Sequence, residues 1–189
     1  MAAVAVGVGG PELRIATPDD IDSMTAMMRV SVLDLFQGFY DERQIASAAV
    51  HIAHVDPALV GDGTYFVHET GGEVVACGGW SRRGRLYTGS GDQANDGRLL
   101  DPATEAAHIR AMFVRPDWTR RGLGRAILEA GRDAARSEGF RRLDLMATLA
   151  GVPLYRSFGF EEREPSLLTM PDGVTIEAVA MERPVDLPA

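Results

Sequence analysis

Residues 108–129 read HIRAMFVRPDWTRRGLGRAILE. The stretch opens with an apolar run, Ile109 to Val114, interrupted only by Arg110, which reads as a buried strand. Pro116 and Asp117 break it. A short basic loop follows, Arg120-Arg121-Gly122-Leu123-Gly124-Arg125, and the pattern then turns helical. Strand, basic glycine loop and helix in that order describe a place to hold phosphate. Peptide N–H groups in the first turn of a helix lack intrahelical acceptors, and the helix dipole adds partial positive charge there. Glycine lets an anion approach the main chain without a Cβ in the way, and arginine supplies forked donors suited to phosphate oxygens.

Three common phosphate loops can be compared with this one. A Walker loop requires G-x-x-x-x-G-K-[S/T], a string the chain does not contain. A dinucleotide fingerprint requires G-x-G-x-x-G/A, and from Gly122 its third small position falls on Ile127, too large for close helix–strand packing. What remains is a strand ending Val114-x-Pro116, then Arg-Arg-Gly-x-Gly-Arg, then an Ala/Leu-rich helix. This resembles the GNAT superfamily of acyl-CoA-dependent N-acyltransferases, whose signature Q/R-x-x-G-x-G/A opens the helix after the fourth strand. Here Thr119 stands at the first signature position, Arg120 and Arg121 at the next two, and Gly122 and Gly124 at the glycine positions. The resemblance implies that the loop from Arg120 through Leu123 to Arg125 grips the pyrophosphate of coenzyme A, with acetyl-CoA as co-substrate. It also implies that a backbone N–H within Met112, Phe113 and Val114, where the fourth and fifth strands splay apart, polarises the thioester carbonyl.

A second motif lies at residues 151–160, GVPLYRSFGF. In the resembling family a helix after the fifth strand carries a tyrosine just before a strand that starts Gly-Phe, and Tyr155 and Gly159-Phe160 fit that frame. The family often has Asn seven residues before the tyrosine and Ala four before it; Thr148 and Gly151 stand there in this chain. Acyl transfer to an amine expels a thiolate, and a phenol, protonated at neutral pH, can donate to it. Tyr155 is therefore the candidate acid, against a core tyrosine that closes the helix–strand corner. The reaction also needs something to collect the amine's proton. His108, at the start of the fourth strand, is the candidate base, against an exposed or structurally bonded histidine; Glu105 comes next, and a water relay with no single base is a further route. Simple alternation puts His108, Arg110, Met112 and Val114 on one face of the strand.

The chain has 189 residues, 46% hydrophobic and 24% charged, which describes a globular protein with room for one substantial core. No apolar run is long enough to span a bilayer, and the opening MAAVAVGVGGPE lacks the basic region of a signal peptide. The lone Cys77 excludes an intrachain disulfide, and a cytoplasmic location is expected. A net charge of −8 argues against nucleic acid as a partner, so the local basic loop is the more telling. No His/Cys/Asp cluster has metal-ligand spacing, and no metal is expected.

Residues 12–184 are expected to form one domain, with residues 1–11 and 185–189 as tails. Leu13 to Ala16 reads as a first strand, Thr17-Pro18-Asp19-Asp20 as a helix start, and Ile21, Met24, Met28 and Val32 recur at helical spacing. A second helix runs from near Asp41 toward Ala53. Residues 65–69 and 73–80 form a hairpin around Gly71-Gly72. Residues 142–147 read as a fifth strand, 151–158 as a helix, and 159–163 and 174–182 as strands. The order β-α-α-β-β-β-α-β-α-β-β predicts an α+β fold matching the resembling family: a mostly antiparallel mixed sheet with a splayed β4/β5 parallel pair, flanked by helices. Phe36 and Tyr40, in the aromatic segment between the first two helices, are candidates to line the acceptor pocket, against ordinary packing. Trp80 and Tyr87 either flank the acceptor or anchor the long connection 82–104, which reads as a lid, a binding loop or an excursion. The function expected is acetyl transfer from acetyl-CoA to an amine. The alternatives are a CoA-sensing module without catalysis, or a transferase for another acyl-CoA. The acceptor, small-molecule or protein, is open; homodimers are common in the resembling family.

Overall fold

The structure is a computed structural model that describes residues 10–84 and 97–187. Its centre is a seven-stranded sheet in the order β1-β2-β3-β4-β5-β7-β6. The strands are β1 (Glu12–Ile15), β2 (Tyr65–Thr70), β3 (Glu73–Ser81), β4 (Ala107–Val114), β5 (Arg142–Thr148), β6 (Glu161–Thr169) and β7 (Thr175–Pro184). Every neighbouring pair is antiparallel except β4 and β5. That parallel pair meets only at Ala107↔Leu143 and His108↔Asp144, after which the two strands part. The mixed sheet with a splayed parallel pair is the fold expected.

The helices are α1 (Ile21–Leu35), α2 (Glu42–His51), α3 (Pro57–Gly61), α4 (Leu123–Ser137) and α5 (Val152–Ser157). Two of them start at recognisable caps. Asp41 accepts from Gln44 N at 2.8 Å and Gln44 returns a bond to Asp41 N, closing a capping box at α2. Asp56 accepts from Ala58 N at the start of α3, a one-turn helix that Pro57 initiates. Before α1, Thr17 donates from both N and Oγ1 to Asp20 across a 3-10 turn. Helices α1 and α2 bury Met24, Met28, Val32 and Ala48 against one face of the sheet, with Tyr65, Val67, Cys77 and Phe113 beneath them. Helices α4 and α5 bury Leu128, Ala135, Val152 and Tyr155 on the other face, over Ile109, Leu143 and Leu145.

One irregularity decides which way β4 points its side chains. Ala111 has φ +50°, and the β3–β4 register shifts between Cys77 and Gly79, so two residues of β4 occupy one step of the ladder. Before the bulge, Ala107 and Ile109 face α4, while Arg110 faces the opposite side and reaches Asp56 at 3.4 Å. After it, Met112 and Val114 pack with Leu123 and Ile127 of α4, and Phe113 joins the α1/α2 core. The expectation that His108, Arg110, Met112 and Val114 share one face is therefore corrected. A β-bulge adds one residue and inverts the alternation beyond it. The Tyr65 hydroxyl donates to the Ala111 carbonyl at 2.6 Å and holds the bulge in place.

Two further differences from the expected elements concern length. β6 runs to Thr169 rather than ending near residue 163. It is an edge strand whose first five residues are all exposed, so no apolar alternation marks it, and Pro165 sits where an edge tolerates proline. The connection from Ser81 to Ala107 begins and ends as a closed neck: Leu100 N donates to Arg82 O at 2.8 Å and Arg83 pairs with Asp62 at 2.6 Å. Tyr87 lies outside the described residues.

Candidate active site

A cavity of about 690 Å³ occupies the gap where β4 and β5 part. It has walls on both faces of the sheet. On the α4/α5 face these come from Gly122, Gly124, Arg125, Leu154, Tyr155 and Ser157; on the α1/α2 face, from Leu35, Phe36, Phe39, Ile52 and Leu168. Met112, Val114 and Thr148 lie at the waist between them.

The α4 end of the cavity is built from main chain. Ala126 N donates to Gly122 O at 3.0 Å as the first bond of the helix, and Gly122 makes no side-chain cap. The amides of Leu123, Gly124 and Arg125 therefore have no acceptor within the helix and stand at its positive end. Two residues of the preceding loop are left-handed: Gly122 at φ +82°, where glycine has no steric cost, and Arg120 at φ +62°, where a Cβ-bearing residue is strained. Strained main chain that presents consecutive N–H groups is a usual way to make an anion nest. The arginines differ in what they do. Arg121 lies over Trp118 at 4.5 Å and donates to the Asp117 carbonyl. Arg125 pairs with Glu129 one turn along α4 at 3.3 Å and lies over Phe158. Arg120 lines the cavity and has no ion-pair partner among the described residues. The residues present thus fit a diphosphate.

The waist supplies a further donor. Arg115 N donates to Val75 O at 2.9 Å, so by ladder alternation the N–H of Val114 points away from β3, toward the edge β5 has left. Met112, Phe113 and Val114 all contribute to the cavity wall.

Tyr155 reaches the same cavity from α5. Its ring packs edge-on against Phe160 with centroids 5.9 Å apart. Its hydroxyl takes no hydrogen bond among the described residues, and burial pushes its pKa well above the ordinary phenol value. The phenol is therefore protonated across the physiological range and has its proton to give. Gly151 makes room for it: an added Cβ would lie 2.9 Å from Tyr155 Cε2 and 3.4 Å from the Thr148 carbonyl.

Phe36, Tyr155 and the Arg120–Arg125 loop are thus brought together, and other candidates are not. His108 sits where β4 and β5 still pair, and its Nδ1 bonds the Asp144 carboxylate beside it. It opens on a smaller recess formed with Arg98, Glu105, Arg142 and Glu182 and is absent from the cavity wall. Glu105 lies there too, held to a pKa of about 2 by the Arg98 guanidinium and the Asp101 amide. Trp80 is 1% exposed and packs edge-on with Phe140, so it is core. Tyr40 ties the α1–α2 turn to the sheet, donating to Glu177 O at 2.7 Å and accepting from Leu149 N at 2.8 Å. Residues that the sequence did not single out include Tyr65, which fixes the bulge, and Arg110, which lines the cavity. A strand tyrosine and a lone arginine carry no motif that would mark them.

Residues 29–160 match the acetyltransferase (GNAT) family profile. The chain belongs to that family. No match was found among the curated proteins. Solved GNAT structures share the fold over nearly the whole chain. The GCN5-related N-acetyltransferase from Rhodopseudomonas palustris is 20% identical and superposes with a TM-score of 0.68, covering 94% of this chain and 97% of that one. The PaiA N-acetyltransferase of Thermoplasma acidophilum, solved with coenzyme A, is 13% identical with a TM-score of 0.65, over 93% of this chain and 99% of that one. A phosphinothricin acetyltransferase from Sinorhizobium meliloti, solved with acetyl-CoA, is 21% identical with a TM-score of 0.60, over 93% and 89%. At these identities the likeness establishes the GNAT fold. Among the described residues no helix is long and apolar enough to cross a membrane, and no cluster of three or more metal-binding side chains occurs.

Proposed function

We propose that this chain is an N-acetyltransferase that moves an acetyl group from acetyl-CoA directly to an amine. One observation carries the reading: a single cavity joins the bare amides at the start of α4, the phenol of Tyr155 and an open space on the far face of the sheet. Relatives solved with coenzyme A or acetyl-CoA support the choice of donor.

Each group has a step. The α4 amides and Arg120 hold the diphosphate. The Val114 N–H lies where a thioester carbonyl laid along the β4 edge would meet it, and stabilises its oxygen as negative charge develops. The amine nitrogen attacks the carbonyl carbon, and collapse of the tetrahedral adduct breaks the C–S bond. The departing sulfur takes the proton of Tyr155, and the proton shed by the nitrogen restores the phenol through water. The products are the N-acetyl amine and free coenzyme A.

The direct test mixes purified protein, acetyl-CoA and a panel of amines and follows thiol release, with calorimetry for acetyl-CoA binding. Binding together with amine-dependent thiol release is the expected result; binding without release for any amine would reduce the protein to a coenzyme A sensor. A finer test lies at Gly151. Because an added Cβ sits 2.9 Å from the Tyr155 ring, Gly151→Ala must displace that ring or the start of α5. A misplacement of this size is expected to lower kcat by about ten- to a hundredfold, with acetyl-CoA affinity little changed. Unchanged kcat would show that the position of the ring does not matter.

A further inference from the structure

The half of the cavity on the α1/α2 face is apolar, and none of the described residues that line it is an acid. Leu35, Phe36, Phe39, Ile52 and Leu168 line it, with Ser31 as a small polar contact. Phe39 is 48% exposed, an aromatic ring presented at the α1–α2 turn. Among the described residues that wall the whole cavity there is no aspartate, glutamate or histidine. The charged side chains that face it are cationic: Arg110 from β4, and Arg120 and Arg125 from the loop and α4. Arg110 is backed by Asp56 at the start of α3 and Arg125 by Glu129, but neither carboxylate lines the space. α5 contributes Tyr155; α1, the end of α2, β5 and β6 contribute Ser31, Ile52, Thr148 and Leu168, which do not titrate.

This arrangement bears on the acceptor. An ammonium entering an apolar recess loses hydration and finds no carboxylate among the described lining residues to offset that loss. A second ammonium on the same molecule would meet the same walls, so a polyamine or a basic peptide is poorly matched. An aryl or branched alkyl body gains from burial against Phe36, Phe39 and Leu168.

Resting on the transferase reading above, we infer that the acceptor is a hydrophobic monoamine, taken up as the free base, and that no side chain of the cavity serves as its general base. His108, bonded to Asp144 at the other end of β4, takes no part in that proton transfer.

The experiment measures kcat/KM at saturating acetyl-CoA, from pH 6 to pH 10, for 2-phenylethylamine, phenylalaninamide and spermidine. Phenylethylamine is expected to exceed spermidine by roughly 100-fold, the value of burying one aromatic body. The rising limb of the pH profile is expected to follow the acceptor, near pH 10 for the alkyl amine and near pH 8 for the α-amino compound. Phe39→Asp, at an exposed position, is expected to lower the phenylethylamine-to-spermidine ratio at least about tenfold by placing a carboxylate at that apolar wall. A preference for spermidine, a limb fixed at one pH for both aromatic acceptors, or a ratio indifferent to Phe39→Asp would overturn the inference while leaving acetyl transfer standing. Absence of thiol release with every amine, despite acetyl-CoA binding, would overturn the transferase reading and this inference with it.

Discussion

Replacing Gly124 by glutamate is expected to abolish coenzyme A binding without unfolding the protein. Gly124 is buried in the first turn of α4, and an added Cβ would stand 3.0 Å from Leu154 Cδ2 and 3.8 Å from Val114 Cγ2. A longer side chain has nowhere to go but into the cavity that these residues line. Its carboxylate would then occupy the ground where a diphosphate meets the α4 amides, matching their polarity with the wrong molecule. The same interaction protects the fold, because a negative charge in the first turn of a helix is favourable by about 0.3–1 kcal/mol. The expected loss is at least about 10³ in Kd, or about 4 kcal/mol, read by calorimetry with coenzyme A. Gly124→Ala separates bulk from charge. Its methyl meets only the flexible end of Leu154, so a loss of about tenfold or less is expected. Wild-type affinity in Gly124→Glu, with an unchanged melting curve, would move the coenzyme site elsewhere.

What made this site readable was chemistry tied to fixed local geometry. A basic loop with glycines between strand and helix has few uses, because left-handed main chain and a bare helix terminus must be specified by residue type. Gly122 at φ +82° is such a position. Tyr155 was readable for a related reason: Gly159, at φ +90°, ends α5 and anchors the frame that places the tyrosine four residues earlier. The features that escaped depend on tertiary context. The bulge at Ala111 has no residue signature, since alanine at φ +50° is held by the Tyr65 hydroxyl from another strand. Misjudging one step of β4 reversed the expected faces of Met112 and Val114. His108 looked like a base because histidine titrates near neutrality, but its neighbour on β5 is Asp144, and strand pairing is not visible in one strand's sequence. β6 went partly unseen because an exposed edge has no buried face to impose a pattern.

The bulge also links fold to chemistry. If β4 continued its register through Ala111, the strand could remain paired on both edges, as parallel neighbours normally do. Instead the chain kinks just beyond the last β4–β5 pair, His108↔Asp144, and the gap that opens becomes the cavity waist. The buried Tyr65, 0% exposed and on β2, one strand in from the edge at β1, is thus a positioning residue. It acts on the site only through the Ala111 carbonyl it holds.

Tyr155→Phe is expected to lower kcat by about 10²-fold while acetyl-CoA binds as before. The substitution removes one oxygen that bonds no described residue, so no protein hydrogen bond is lost and the melting temperature should not fall. The ring keeps its contact with Phe160 and its seat beside Gly151. What disappears is the proton offered to the departing sulfur. Two readouts distinguish that role from simple packing. Thioester donors with a more acidic leaving thiol need less help, so the gap between wild type and variant should narrow toward unity along such a series. The pH profile supplies the other. Burial raises the phenol's pKa above its ordinary value of 10.0, and the acid form is the active one, so wild-type kcat should show no falling limb from this group below pH 10. Equal kcat in wild type and variant, on an acceptor both enzymes use, would remove Tyr155 from the reaction and leave the sulfur to draw its proton from solvent.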